Sequence, residues 1–129
     1  MNAEQMKAIY QMAKSIYNKQ EQLTSGKAKL YQKYGINQNS FADYYRAFQK
    51  MLDGELHSRS ISSELREYYL FHILEDYGSE KLSIALDAYK QSIIYYETTH
   101  NTHRKTEWEL HDKYEKLLSS NGSIEQNIL

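Results

Sequence analysis

Apolar positions recur at alternating spacings of three and four residues along Ser79–Leu118. Leu82, Leu86, Tyr89, Ile93 and Tyr96 open this stripe, His100, His103 and Glu107 continue it, and Leu110, Tyr114 and Leu117 close it. Such spacing keeps every one of these side chains on a single face of an α-helix. Asn2–Tyr34 carries a second stripe of the same period, running Met6, Ile9, Ala13, Ile16, Gln20, Leu23, Lys27, Leu30 and Tyr34, in the manner of a coiled-coil seam. Two shorter helical patterns lie between them. Phe41–Asp53 offers Phe41, Tyr44 or Tyr45, Phe48, Met51 and Leu52 to a core. Tyr68–Leu74 is apolar on nearly every side, which predicts a helix buried all round.

The stops between these segments are glycines. Gly35, Gly54 and Gly78 each follow a periodic segment, in the place where a left-handed cap ends a helix. Ser40 with Asp43 resembles a capping box at the start of the second helix, Ser60 or Ser62 starts the third, and Ser79 starts the fourth. Gly26, beside Thr24 and Ser25, costs about 1 kcal/mol against alanine inside a helix, so a bend in the first helix is expected there.

The predicted fold is all-α. Two short central helices are flanked by long N- and C-terminal helices that pair antiparallel. The expected organisation is a single helical domain over 1–118, with a head at about 35–97, a helical pair formed by 1–34 with 98–118, and a flexible tail at 119–129. Length constrains the last helix. Forty helical residues extend about 60 Å, whereas a compact domain of this size is roughly 36 Å across. The helix therefore projects or breaks, and the weak stretch is Thr98-Thr99-His100-Asn101-Thr102-His103, whose poor helix formers cost about 2–4 kcal/mol together. A polar junction is expected at this point.

Composition supports the helical assignment and narrows the chemistry. The chain has 129 residues, with no proline and no cysteine, and valine is absent as well. The main helix breaker and a strong strand former are thus missing, and neither disulfides nor thiolate chemistry are available. Nothing near Met1–Tyr10 reads as a signal peptide, and the longest apolar run is too short to span a bilayer. A soluble cytoplasmic protein is the expectation. Net charge is -1, which gives no global attraction to nucleic acid, although Lys7, Lys14, Lys19, Lys27, Lys29 and Lys33 make the first helix basic. They spread around it as a solvated surface.

Three groups of residues could carry chemistry. In the loop from His57 through Ser58, Arg59 and Ser60 to Ser62, a guanidinium and several hydroxyls precede a helix N-terminus, an arrangement suited to an anion. Capping alone also accounts for these serines. The tyrosines, thirteen in all, include Tyr44-Tyr45, Tyr68-Tyr69 and Tyr95-Tyr96. One member of each pair can face inward while the other lies at an edge, where tyrosine serves binding surfaces or stacks on bases. His100, His103, Glu107 and His111 would share one side of a continuous helix, a spacing open to a transition metal. A polar seam layer is the preferred account of that set, and no cofactor is implied.

No nucleophile–base pair, phosphate loop or nucleophile elbow is visible. The sequence therefore favours a small non-enzymatic helical interaction protein, a regulator, adaptor or inhibitor of the kind phages or mobile elements encode. It would act on a protein partner and close its seam by forming a homodimer. The alternative is a nucleotide- or nucleic-acid-binding protein that uses Arg59 and the serine loop for phosphate and tyrosines for stacking.

Overall fold

Both long helices break, so the computed structural model has six helices where four were expected: α1 (Ala3–Tyr17), α2 (Leu23–Tyr34), α3 (Gln38–Asp53), α4 (Ser63–Tyr77), α5 (Ser79–His100) and α6 (Lys105–Ile128). The structure describes the backbone of residues 1–128 and the side chains of residues 1–120. Beyond Ser120 the expected flexible tail lies outside the fully described residues. The all-α class holds, and no strand occurs among the described residues. Among them, too, no helix is long and apolar enough to cross a membrane.

The chain divides into two compact units, Met1–Gln49 and Lys50–Leu129, with the division inside α3. In the first unit the break falls at residues 18–22, not at Gly26. Lys19 takes a left-handed conformation, φ 63°, and the Gln20 and Glu21 amides both donate to the Ser15 carbonyl. Glu21 then anchors the turn, accepting from Lys29 Nζ at 2.6 Å and from Ser25 Oγ. The Lys29 hydrogen bond, followed by that from Ser25, holds the Glu21 carboxyl down at about 2.

Gly26 has a packing role instead. It is buried in α2, and a Cβ there would meet Met12 Sδ at 2.9 Å and Ile16 Cδ1 at 3.1 Å. Glycine at this position lets two helix backbones approach closely, which outweighs its poor helix propensity. At the other end of the hairpin Gln5 Nε2 donates to the Tyr34 carbonyl at 3.1 Å, so α1 and α2 run antiparallel. The unit's buried side chains include Ile9, Tyr10, Ala13 and Ile16 of α1, Leu30 of α2, and Phe41, Ala47 and Phe48 of α3.

Glycine stops stand where expected, with Gly35 at φ 68° and Gly54 at φ 73°. The caps differ. Asn37, not Ser40, opens α3: its Oδ1 accepts from the Ser40 amide at 3.0 Å. Ser62 caps α4 through the Leu65 amide. No side chain caps α5; Gly78 precedes it directly, and its φ of 94° turns the chain from α4 into α5.

In the second unit α4 and α5 are consecutive and α6 packs on both. Leu65, Tyr69, Leu70 and Ile73 of α4 meet Leu82, Ala85, Leu86, Tyr89 and Ile93 of α5 and Leu110 and Tyr114 of α6 in the buried set. The α4 helix is not buried all round: Phe71 is 46% exposed, and Tyr68 and His72 stack on each other at 4.1 Å on its half-buried side. The α5–α6 break lies inside the weak stretch. Asn101 is left-handed at φ 49°, ψ 53°, and its amide donates to the Glu97 carbonyl. Asparagine is among the few side chains that tolerate this region.

Candidate functional site

Glu97 builds the corner beside a cleft in the second unit. Its Oε2 accepts from the Arg104 backbone amide at 2.8 Å and from Trp108 Nε1 at 2.9 Å, and lies 3.1 Å from His103 Nδ1. The Arg104 amide, more than Trp108 or His103, holds this carboxyl below the usual carboxylate range. A depressed carboxylate contributes stability that is complete above its ordinary value of 4.5 and is lost as pH falls through its folded value. Acid titration of fluorescence from Trp108, the chain's single tryptophan, is expected to show a transition with its midpoint below 4.5. Glu97→Gln should remove it, and an unchanged transition in that variant would show that another group controls the corner.

With the chain turned this way, Arg104 reaches back. Its guanidinium lies 4.1 Å from the Tyr96 ring centroid, and its Nη2 donates to Ser60 Oγ at 3.2 Å. His100 stacks on Tyr96 at 4.0 Å between centroids, tilted by 18°. Two groups this close to one ring cannot share a face, so both faces of Tyr96 are taken.

About 20 Å³ of this cleft is open to the centre of a water-sized sphere. The loop contributes His57, Ser58, Arg59 and Ser60; α4 contributes Arg66; α5 contributes Tyr89, Ser92, Ile93 and Tyr96; Arg104 and Glu107 complete it. Three guanidinium groups thus face a single carboxylate. Ser92 Oγ fixes the loop by accepting from the His57 amide at 3.0 Å while donating to the Ala88 carbonyl.

Arg66 is the unusual member. It is only 3% exposed, yet its Nε and Nη1 have no hydrogen-bond partner among the described residues. Its guanidinium lies 4.6 Å from the Tyr89 ring centroid. Burial pulls its affinity for the proton below the ordinary arginine value, opposed by the Tyr89 and Glu107 charges, but a guanidinium remains a cation in any protein setting. Taking such an ion out of water costs several kcal/mol unless charge and hydrogen bonds offset it. Glu107, 5% exposed, provides part of the offset. Its Oε2 accepts from Ser63 Oγ at 2.9 Å, while Oε1 lies 3.9 Å from Arg104 Nη2. Tyr89 Oη donates to the Glu107 backbone carbonyl at 3.2 Å, and burial, with Glu107 next, raises the Tyr89 phenol above its ordinary value.

Of the residues singled out in the sequence, His57, Arg59 and Ser60 line this cleft, and Ser62 stands beyond it as the α4 cap. Of the three tyrosine pairs, Tyr96 lines the cleft and the other members do not. Tyr44 and Tyr45 belong to the first unit, Tyr68 stacks on His72, and Tyr95 is 40% exposed on α5. His100, His103, Glu107 and His111 do not lie on one helix, because α5 ends at His100 and α6 begins at Lys105. They are engaged separately, His100 with Tyr96, His103 with Glu97, Glu107 with Ser63, and His111 with two carboxylates. Nδ1 of the buried His111 lies 3.1 Å from Asp112 Oδ1 and 3.5 Å from Glu115 Oε2, a tighter His–Asp–Glu group than the histidine set itself.

Arg66 and Arg104 are the site residues that sequence reasoning missed. A signal for Arg66 existed: it occupies a stripe position beside Leu65 and one turn before Tyr69 and Leu70, where a charge must be buried. Compared with known proteins, the chain matches no family model, no curated protein and no solved structure.

Proposed function

We propose that this chain is a non-enzymatic helical binding module that holds a small oxyanion of the phosphoryl class in the cleft between the His57–Ser60 loop and α4, α5 and α6. The observation that carries this reading is Arg66, a buried cation whose Nε and Nη1 have no hydrogen-bond partner among the described residues and which lines the cleft together with Arg59 and Arg104. Guanidinium groups present donors in a planar fork matched to phosphate oxygens. An anion there would supply the counter-charge that the buried guanidinium is short of. Binding rather than catalysis is favoured because the Ser60 and Ser92 hydroxyls are already engaged in holding the loop, not poised beside a base.

Nucleotide stacking receives less support. Tyr96 has both faces covered, and Tyr89 is buried beneath Arg66. The phosphate half of the nucleotide alternative therefore survives better than its base half. Titration of the protein with inorganic phosphate should raise the melting temperature in proportion to the logarithm of ligand concentration. Saturation at about 100 times the dissociation constant adds about 2.7 kcal/mol. No thermal shift and no calorimetric heat at millimolar phosphate would end the anion reading.

A specific observation also favours a protein partner. Ile84, Ile94 and Tyr95 are exposed along α5 at 37%, 46% and 40%. Aromatic and aliphatic side chains in this setting suit a protein–protein contact or a dimer, and native mass measurement distinguishes the two.

A further inference from the structure

Glu107 is an anomaly in a site for an anion. A buried carboxylate in the same cleft repels any negatively charged ligand, and if neutralising the arginines were its whole task, it would sit against them. It does not. Its Oε2 is committed to Ser63 Oγ at 2.9 Å, and Oε1, the oxygen nearer Arg104, stays 3.9 Å from that guanidinium, beyond hydrogen-bond range. Oε1 accepts no hydrogen bond among the described residues. Arg66 and Glu107 both line the cleft, so a guanidinium, which can only donate, and a carboxylate oxygen, which can only accept, belong to the same site.

We infer that the cleft selects an oxyanion bearing a proton, hydrogen phosphate above all, with Glu107 Oε1 accepting the ligand's P–OH hydrogen bond while Arg66 and its neighbours donate to the unprotonated oxygens. This rests on the anion reading of the same cleft and adds the identity of the ligand to it. The chemistry separates close relatives. Hydrogen phosphate keeps at least one O–H throughout the neutral range. Sulfate has the same shape and no proton there, so it would meet Glu107 as an unrelieved like charge. A phosphate monoester loses its last P–OH with a pKa of about 6, so it offers the matching donor only below that pH. The faces of Tyr96 are occupied, so this ring is no platform for a base to compensate a nucleotide for the missing proton.

The groups facing the ligand position are His57 and Arg59 from the loop, Arg66 from α4, Tyr89 and Tyr96 from α5, and Arg104 beside Glu107. Sulfate reports on all of them, because it does not itself titrate near neutrality. Any pH dependence of sulfate binding therefore belongs to the protein, and the difference between sulfate and monoester belongs to the ligand's proton.

Calorimetry on the full chain at pH 7.5 with inorganic phosphate, sulfate and a sugar phosphate, repeated at pH 5.5, tests the inference. Phosphate is expected to bind at least about tenfold more tightly than sulfate, as one charged hydrogen bond gained and one repulsion avoided imply. The sugar phosphate should approach inorganic phosphate at pH 5.5 and fall toward sulfate at 7.5. Glu107→Gln, whose amide can donate as well as accept, should bring phosphate and sulfate to within about threefold. Equal binding of phosphate and sulfate by the wild-type chain leaves an anion site and overturns the selectivity. Binding of neither removes both readings. Should Glu107→Gln fail to fold, the wild-type phosphate-to-sulfate ratio and the pH dependence of the monoester still decide the matter.

Discussion

Arg66→Met is expected to weaken phosphate binding at least about 30-fold and to lower the stability of the ligand-free fold, because it leaves Glu107 buried without this counter-charge. The two effects are separable because they come from different states of one guanidinium. Without ligand, Arg66 is a buried cation whose Nε and Nη1 lack partners. Its compensation is the Tyr89 ring at 4.6 Å and the charge of Glu107. Removing one partner of a buried ion pair costs about 3–5 kcal/mol because the other charge stays buried, and relief of the unpartnered guanidinium's own desolvation reduces that figure. Methionine is unbranched and flexible enough to follow the path of the arginine stem over Tyr89. With ligand, the same guanidinium would make charge-assisted hydrogen bonds in a site with little water. Truncating one partner of a buried charged pair costs about 2–5 kcal/mol, which is about 30-fold in affinity at the least. Phosphate titration and urea unfolding of the two proteins check both signs together. A large drop in stability with binding retained would show that Arg66 serves the core and not a ligand.

The position of Arg66 also marks where sequence reading succeeded and where it could not. Local signals were legible. Gly35 and Gly54 stop helices because positive φ is a property of the residue itself, and Asn101 lies in a run of poor helix formers where a break is cheap. The break at residues 18–22 was hidden for the opposite reason. Gln20 sits at a seam position and preserves the three–four period across the turn, while Gly26 looks like the weak point. Only the tertiary contact of Gly26 with Met12 and Ile16 shows that it is there to bring α1 and α2 together. The cleft divides in the same way. The His57–Ser60 loop could be recognised from adjacent residue types, but Arg104 reaches Ser60 across 44 positions of sequence, and that meeting depends on how α6 turns off α5. No periodicity carries such information.

Four of the tyrosines, Tyr10, Tyr69, Tyr89 and Tyr114, belong to the buried core, and packing around Tyr10 gives the largest stability effect expected in the first unit. Phe48 of α3 is fully buried, with the Tyr10 ring at 5.6 Å and the Tyr17 ring at 6.0 Å, both at 88° to it. Edge-to-face pairs of this kind add about 0.5–1.5 kcal/mol each beyond the area they bury. Tyr10 is 1% exposed and Tyr69, Tyr89 and Tyr114 are 0%, 1% and 3% exposed, so tyrosines stand in both units at positions as buried as those of phenylalanine or leucine. Phe48→Ala removes the ring against which Tyr10 and Tyr17 are both set, and a cost of about 3–5 kcal/mol follows from the lost burial and the cavity left behind. Phe48→Leu, which keeps most of the volume and neither aromatic pair, should cost about 1–2 kcal/mol. Chemical denaturation followed by far-ultraviolet circular dichroism measures both. A Phe48→Ala loss no larger than that of Phe48→Leu would mean that the aromatic cluster collapses onto the space and that ring geometry contributes little. The predicted ordering, with alanine well below leucine, instead makes Tyr10 and Tyr17 structural partners of Phe48.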